Sequence, residues 1–181
     1  MNRNPCAALA VLLVAGCAAP GPMLVPVDDS TMPVAVAGFI VMAPSGPGWH
    51  RFSAGPGATF MRPTESRWHT VVVQALPVAA PAAALDGQGF EEFVRKRVEG
   101  RLEPKRHRVL RNAFERLEAG SLDCIAYELD VEDTGVQPDG TPFVFDLRGR
   151  VCRIPAAAGP WLDASFSERG GPRGFSPELK E

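Results

Sequence analysis

Apolar and polar residues alternate with a period of two along much of this chain, which is typical of β-strands. The clearest case is the run 122–131, where every second residue from Ile125 to Val131 is apolar. A short, β-branched apolar run predicts a strand at 34–43, and further strands are predicted at 68–76, 108–117, 141–148, 150–154 and 162–169. The segments 49–53 and 58–62 flank a Gly-Pro-Gly turn, so we expect them to pair as a hairpin. Gly149 is expected to be a kink or turn between two strands.

One stretch follows the period of a helix instead. Its apolar residues recur at steps of three and four: Phe90, Phe93, Val94, Val98 and Leu102. Asp86 or Gly89 is expected to begin this helix and Pro104 to end it. Together the patterns predict an α+β fold: a mostly antiparallel sheet of about six or seven strands, with one main helix packed on one face.

The first sixteen residues have the features of a secretory leader. Arg3 precedes an apolar core at 7–14, and the small residues Ala15 and Gly16 precede Cys17. The core is too short to span a membrane, which requires roughly 20 apolar residues. The leader therefore predicts export of the chain and removal of residues 1–16.

The sequence Val14-Ala15-Gly16-Cys17 resembles the lipobox of bacterial lipoproteins. The resemblance implies cleavage before Cys17, lipidation of its thiol, and stable anchoring by two or three acyl chains. Ala18, where Asp would signal retention, favours the outer membrane, with the domain facing the periplasm. The alternatives are a soluble secreted protein whose cleavage site lies near a cysteine, and a cytoplasmic chain with an unprocessed apolar start.

Composition divides the chain into four segments. Residues 1–16 are the expected lipoprotein signal peptide, 17–33 a proline-rich tether, 34–169 a single α/β domain, and 170–181 a disordered tail. The domain is long enough to bury a hydrophobic core of its own.

Charge excludes nucleic acid as an electrostatic partner. The chain has 19 basic and 21 acidic residues and a formal net charge of −2, which provides no attraction to phosphate backbones. The arginine-rich run 95–111 has interleaved acidic residues, so we expect a solvated surface there. No cofactor is predicted, because glycine-rich phosphate loops of Walker or Rossmann form are missing.

Cys124 and Cys152 are the cysteines that remain after removal of the leader and lipidation of Cys17. An oxidising compartment favours a disulfide between them, and two buried free thiols are the alternative. A metal site is disfavoured, because neither cysteine has a Cys or His at ligand spacing. The three histidines at positions 50, 69 and 107 are also scattered.

Three segments of the predicted domain form a combined pattern: Gly48-Trp49, Cys124 through Tyr127 to Glu132-Asp133, and Cys152-Arg153-Ile154-Pro155 followed by 165–169. Together they resemble a loose group of uncharacterised bacterial lipoproteins. That group is expected to have a histidine where Ile154 stands, so no role of such a histidine is transferred. The strand order is similar to the PsbP/Mog1-like α/β sandwich, which implies a non-enzymatic binding or assembly module.

The segment 165–169 is a candidate for hydrolytic chemistry. Ser165 or Ser167 would be the nucleophile, with a remote histidine as base. No base lies near them in the sequence, and the Gly-x-Ser-x-Gly motif is absent. We therefore expect a structural pair between Glu168 and Arg169, and no catalytic residues.

Two further groups have a plain structural interpretation. Glu132-Asp133 and the nearby Asp139 would suit calcium, but the EF-hand pattern is missing, so we expect a solvated acidic turn. Trp49, Trp68 and Trp161 would line a ligand groove, but tryptophans of a small core are the commoner arrangement.

The sequence thus predicts a membrane-anchored envelope lipoprotein that is not an enzyme and acts as a binding or assembly module. Its expected partners are the bilayer, through acylated Cys17, and an envelope protein. The alternatives are a periplasmic carrier of a hydrophobic ligand and a serine hydrolase. A large apolar cavity between helix and sheet would favour the carrier, and a histidine bonded to a serine would favour the hydrolase.

Overall fold

The computed structural model describes residues 24–27, 33–52, 55–64, 66, 69–81, 86–119, 122–134, 142–154 and 159–171. Its elements in chain order are β1 (Leu24–Pro26), β2 (Pro33–Val36), β3 (Phe39–Met42), β4 (His50–Phe52), β5 (Ala58–Pro63), β6 (Thr70–Val78), α1 (Gly87–Glu99), β7 (His107–Ala119), β8 (Leu122–Asp133), β9 (Phe143–Arg153) and β10 (Trp161–Gly170). The fold is therefore mostly β.

The predicted α+β class, with about six or seven strands and a helix-covered sheet, is wrong. The structure has an eight-stranded antiparallel sheet, a separate two-stranded sheet and one short helix. The share of β-structure is higher than predicted partly because the strands are long: β7 and β8 have 13 and 12 residues. Gly149 does not form a kink or turn between two strands but lies within the single strand β9.

The first apolar run, predicted as one strand at 34–43, is a hairpin of β2 and β3. Its turn lies at Ala37 and Gly38, whose φ angles are 54° and 84°. Two successive positive φ values suit the tight turns that join antiparallel strands. The apolar period alone did not reveal this turn, because alanine is an uncommon residue at positive φ.

The large sheet has the strand order β1-β4-β5-β6-β10-β9-β8-β7. The predicted hairpin of β4 and β5 is confirmed, and β10 lies between β6 and β9, pairing with both. The edge strand β7 shifts register between Val109 and Arg111. A bulge and charged residues at such an edge discourage pairing with another chain.

The predicted helix is confirmed, and its start follows from the capping residue. Asp86 is the N-cap, and its side chain accepts a 2.7 Å hydrogen bond from the backbone N–H of Gly89. The helix ends at Glu99, and Gly100 follows it as the C-cap. Pro104 therefore lies beyond the helix rather than at its end.

Two hydrophobic cores lie on opposite faces of the large sheet. On one face, here called the helix face, Phe90, Val94 and Val98 of α1 pack against residues of β8, β9 and β10. On the other, called the hairpin face, β2 and β3 pack against β5, β6 and β10. Neighbouring residues of β6 and β10 therefore pack into different cores. In β10, Trp161 packs into the core of the helix face and Leu162 into the core of the hairpin face.

Some predictions concern parts of the chain outside the described residues. The leader 1–16, Cys17 and the C-terminal segment from 172 lie there. Within the segment predicted as a tether, Leu24–Pro26 pairs with β4 as strand β1. No helix among the described residues is long and apolar enough to cross a membrane.

Candidate functional site

Three aspartates on the helix face are buried, and each is bound by two arginines. Asp123, Asp133 and Asp163 are only 6%, 3% and 1% exposed. Their partners are Arg116 and Arg153, Arg106 and Arg169, and Arg97 and Arg101, respectively. Paired guanidinium groups offset the cost of removing each carboxylate from water.

Asp133 receives three short hydrogen bonds from two arginines. Arg106 binds it in bidentate fashion, with Nε 2.7 Å from Oδ1 and Nη2 2.8 Å from Oδ2. Arg169 Nη2 donates to Oδ2 at 2.9 Å from β10. The hydrogen bonds to Asp133 raise the pKa of Arg106 above its ordinary value. This cluster joins the turn before β7 to the ends of β8 and β10.

Asp163 lies under the C-terminal end of α1. Arg97 Nε is 3.4 Å from Oδ2, and Arg101 donates to the same oxygen. Tyr127 Oη donates to Oδ1 at 2.8 Å. Burial is the largest single influence and lowers the pKa of Arg101, but the charges and hydrogen bonds of Asp163 and Tyr127 together outweigh it, so the net pKa is raised. The helix C-terminus is thus held to the sheet by charged hydrogen bonds as well as by apolar packing.

A pocket of about 280 Å³, here called the arginine pocket, is lined by Asp133 and by Arg101, the partner of Asp163. Its polar lining comes from Gln74, Arg101, Arg106, His107, Asp133, Ser167 and Arg169. Its apolar lining comes from Leu102, Phe145 and Leu147. Strand alternation explains this composition, because Leu147 faces Ser167 and Phe145 faces Arg169 in the register of β9 and β10.

The arginine pocket carries excess positive charge. Three arginines line it against one carboxylate, Asp133, which leaves two positive charges. Including the adjoining Arg97 and Asp163, and Glu103, whose charge acts on Arg106, gives four positive against three negative charges and an excess of one. Arg169 donates to Asp133 through Nη2, while its buried Nε has no hydrogen-bond partner among the described residues. The pocket therefore has the chemistry to hold an organic anion against an apolar wall.

His107 and Ser167 share this pocket but do not form a catalytic pair. The backbone N–H of Glu103 donates to Nδ1 of His107 at 2.8 Å, so the neutral ring carries its proton on Nε2. Nε2 lies 4.0 Å from Oδ2 of Asp133. With its lone pair used and its proton facing a carboxylate, His107 is not arranged to take a proton from a serine.

The other predicted nucleophile is also without a base. Ser165 lies on the helix face, opposite Gly149 and Gln74 in the sheet register. His69 bonds to Glu168 and so faces the hairpin side of β10. Among the described residues, no hydrogen bond joins a histidine to Ser165 or Ser167.

The predicted pair between Glu168 and Arg169 is wrong. Neighbouring strand residues point to opposite faces, so Arg169 reaches Asp133 on the helix face. Glu168 is fully buried on the hairpin face, where Nε2 of His69 lies 2.7 Å from its Oε1. The two side chains serve separate clusters.

The predicted solvated acidic turn at Glu132-Asp133 is also wrong. Both residues belong to β8; Glu132 pairs with Arg108, and Asp133 is the buried carboxylate of the arginine pocket. Asp139, the third member of the predicted turn, lies outside the described residues. Among the residues that are described, no group of three or more His, Cys, Asp or Glu side chains is placed to hold a metal ion.

The run 95–111, predicted as a solvated surface, instead supplies arginines to buried carboxylates. Arg97 and Arg101 bind Asp163, and Arg106 binds Asp133. A signal for Asp133 was present in the sequence, since it continues the alternation of Ile125 to Val131 by one further step. A carboxylate in phase with buried apolar positions indicates a buried ion pair.

The remaining predicted residues have structural roles. A disulfide joins Cys124 and Cys152, as predicted, and lies across directly paired positions of β8 and β9 with a Cα–Cα distance of 4.1 Å. Trp49 and Trp161 are core residues with exposed fractions of 2% and 7%, whereas Trp68 lies outside the described residues. The side chain of His50 bonds to the Gly48 carbonyl oxygen.

A second depression, of about 460 Å³, lies over β9 and β10 on the hairpin face. Its charged residues are Glu128, Arg148 and Arg150. Arg148 bonds to Asp146, and Glu128 pairs with Arg111. Its charges are thus more fully compensated than those of the arginine pocket, which we take as the candidate site.

Comparison with known proteins adds no family to these observations. No protein-family model matches the chain, and no curated protein is similar enough to count as a relative.

Proposed function

We propose that this chain is a lipid-anchored protein of the bacterial cell envelope that acts as a non-enzymatic binding module. The arginine pocket is its binding site, and its ligand is an organic anion with a carboxylate or phosphate group. The observation that carries this proposal is the set of three arginines, Arg101, Arg106 and Arg169, around a single carboxylate in a partly apolar pocket.

The anchor is supported by the sequence and by the disulfide. Arg3, the short apolar core and the small residues before Cys17 form a leader with a lipobox-like end. A disulfide between Cys124 and Cys152 suits an oxidising compartment outside the cytoplasm. Acylation of Cys17 would hold the domain at the bilayer without a membrane-spanning helix.

The packing of α1 favours the binding module over the carrier of a hydrophobic ligand. Phe90, Val94 and Val98 are fully buried against the sheet. The space between helix and sheet is thus occupied by side chains of the protein. The serine hydrolase is disfavoured as well, because the lone pair of the neutral His107 ring is already used and its proton faces a carboxylate.

The binding site is tested by calorimetric titration of the full acylated chain with octanoate, inorganic phosphate and octanol. Octanoate or phosphate should bind, neutral octanol should not, and added salt should weaken the binding. Arg169→Gln removes one cation while Arg106 keeps its bidentate contact with Asp133. We expect a loss of about tenfold in affinity, equivalent to about 1.4 kcal/mol.

The matched control is Arg150→Gln. Arg150 is an exposed arginine of the hairpin face, so its loss changes the net charge equally but leaves the arginine pocket intact. An unchanged affinity in this control, with both variants still folded as judged by circular dichroism, would attribute the effect to the pocket. Absence of binding by both anions, or an equal loss in the two variants, would contradict the proposed site.

The anchor is tested separately by Cys17→Ser. This change should release the protein from the membrane fraction, whereas undiminished membrane retention would argue against lipidation. Mass spectrometry of the N-terminal peptide should show cleavage before Cys17 and an acyl modification on that residue.

A further inference from the structure

The outward side of the β2–β3 hairpin is apolar throughout. Its two cross-strand pairs are Pro33 with Met42 and Ala35 with Ile40, and all four residues are exposed. Ile40 is 75% exposed and Met42 is 49% exposed. We call these four residues the hairpin surface.

The inward side of the same hairpin is apolar as well. Val34, Phe39 and Val41 pack against the core of the hairpin face, in which Val36 is buried. A surface hairpin of a soluble protein normally alternates apolar residues inward with polar residues outward. Here the chain has no Asp, Glu, Lys or Arg from Ser30 to Trp49. Neither side of the hairpin thus has a charged residue. Because exposed apolar patches are typical of interaction sites, we interpret the outer side as an interaction surface.

The position of the hairpin in the chain favours a bilayer as its partner. Leu24, the first residue of β1, follows Cys17 by seven residues, a distance that spans at most about 25 Å when fully extended. The backbone N–H of Val27 donates to the Trp49 carbonyl at 2.9 Å. Val27 also packs on the hairpin-face core. The chain therefore reaches the core beneath the hairpin three residues after Leu24.

We propose that the hairpin surface contacts the bilayer that carries the Cys17 anchor, with Ile40 and Met42 in the headgroup and upper acyl region. This inference rests on the proposed function, because the anchor brings the surface to the lipid. Apolar side chains of peripheral proteins enter this region to a depth of about 5–10 Å. Since the arginine pocket lies on the opposite face of the sheet, docking would leave it open to the aqueous side.

The contact is tested with a fluorescent probe on an introduced thiol. The acylated chain with Ile40→Cys offers one reactive thiol, because Cys124 and Cys152 form a disulfide and Cys17 is modified. An environment-sensitive dye is attached, and the protein is placed in phosphatidylethanolamine and phosphatidylglycerol vesicles with or without nitroxide-labelled lipid. The matched control is Leu110→Cys, which labels a residue of similar apolar character on the edge strand β7.

We expect lipid nitroxides to quench the probe at position 40 about three times more than the probe at position 110, since only the former would lie at headgroup depth. Equal quenching at the two positions would overturn the proposal. A blue shift at position 40 that grows with protein concentration in lipid-free Cys17→Ser protein would also overturn it, in favour of contact between two copies.

The outcome remains interpretable if the anchor itself fails. An unmodified Cys17 in the mass spectrum would refute the anchor and not the surface. The two probes would then be measured in a background with both Cys6→Ser and Cys17→Ser, so that the introduced thiol is still the reactive one, mixed with the same vesicles. Selective quenching at position 40 would support the surface alone, and its absence would reject the surface.

Discussion

Tyr127 reaches across a neighbouring strand to bind Asp163. Its Oη donates a 2.8 Å hydrogen bond to Oδ1 of Asp163, and both residues are only 1% exposed. Tyr127 lies on β8 and Asp163 on β10, with β9 between them. The position of β9 opposite Tyr127 is Gly149, where a Cβ atom would lie 2.5 Å from Oη. A glycine in mid-strand thus makes room for a contact that links the sheet to α1 through Arg97 and Arg101.

Gly149→Ala should destabilise the protein by about 1–3 kcal/mol, the usual cost of overpacking a core. The added methyl group would meet the Tyr127 hydroxyl and also the backbone oxygen of Ala164 at 2.6 Å, which cannot rotate away. Urea unfolding measures the change. Gly159→Ala is the control, because nothing lies within 4 Å of a Cβ at that position; equal stability of the two variants would contradict the steric role of Gly149.

The hydroxyl of Tyr127 should resist ionisation in the folded protein. Burial, and then the negative charge of Asp163, raise its pKa well above the ordinary value near 10. Tyr127 is the only tyrosine of the chain, so phenolate absorbance reports on this group alone. The folded protein should show little phenolate at pH 11, whereas the protein in urea should titrate near pH 10. Coincident titration curves would argue against the buried contact.

The same shift makes stability depend on alkaline pH. The folded state holds the Tyr127 proton more tightly than the unfolded state does, so its contribution is complete below about pH 10. Above that pH the contribution should fall by about 1.4 kcal/mol per pH unit until the folded pKa is reached. Tyr127→Phe removes this term, so the difference in unfolding free energy between wild type and variant should shrink from pH 9 to pH 11. A constant difference would contradict the linkage.

Local patterns in the sequence predicted local structure well. The helix with its Asp86 cap and the hairpin of β4 and β5 depend on residues close together in the chain. The contacts that failed depend on pairing between distant strands. From the sequence, Gly149 was predicted to be a kink or turn. The side chain that requires a glycine there is Tyr127, which lies on another strand and could not be related to Gly149 from the sequence.

The candidate site was missed for the same reason. Arg106 lies in the turn before β7, Asp133 in β8 and Arg169 in β10, and only the sheet register brings them together. Interleaved charges in the run 95–111 looked like a solvated surface, since the sequence does not show which arginines face buried carboxylates. The separation of Glu168 from Arg169 was predictable, because adjacent residues of a strand face opposite sides.

Replacing both disulfide cysteines should cost about 3–4 kcal/mol of unfolding free energy, from the entropy of a loop with a sequence separation of 28 residues. Cys124→Ala with Cys152→Ala is suitable because both positions are buried and alanine adds no polar group. Urea unfolding measures the loss. A reducing agent should lower the stability of the wild type and leave the double variant unchanged, and a thiol count of two in the denatured acylated protein would contradict the disulfide.

The His69–Glu168 pair should contribute measurably to stability because its carboxylate is fully buried. Nε2 of His69 lies 2.7 Å from Oε1 of Glu168, and hydrogen bonds to buried charged groups are worth about 1.5–3 kcal/mol. His69→Ala should cost about that amount in urea unfolding, and His69→Gln, which retains a donor, should cost less. The control is His50→Ala, because the hydrogen bond of the His50 side chain is an exposed, local one to the Gly48 carbonyl. A loss no larger in His69→Ala than in His50→Ala would mean that the carboxylate is held by its other surroundings rather than by the imidazole.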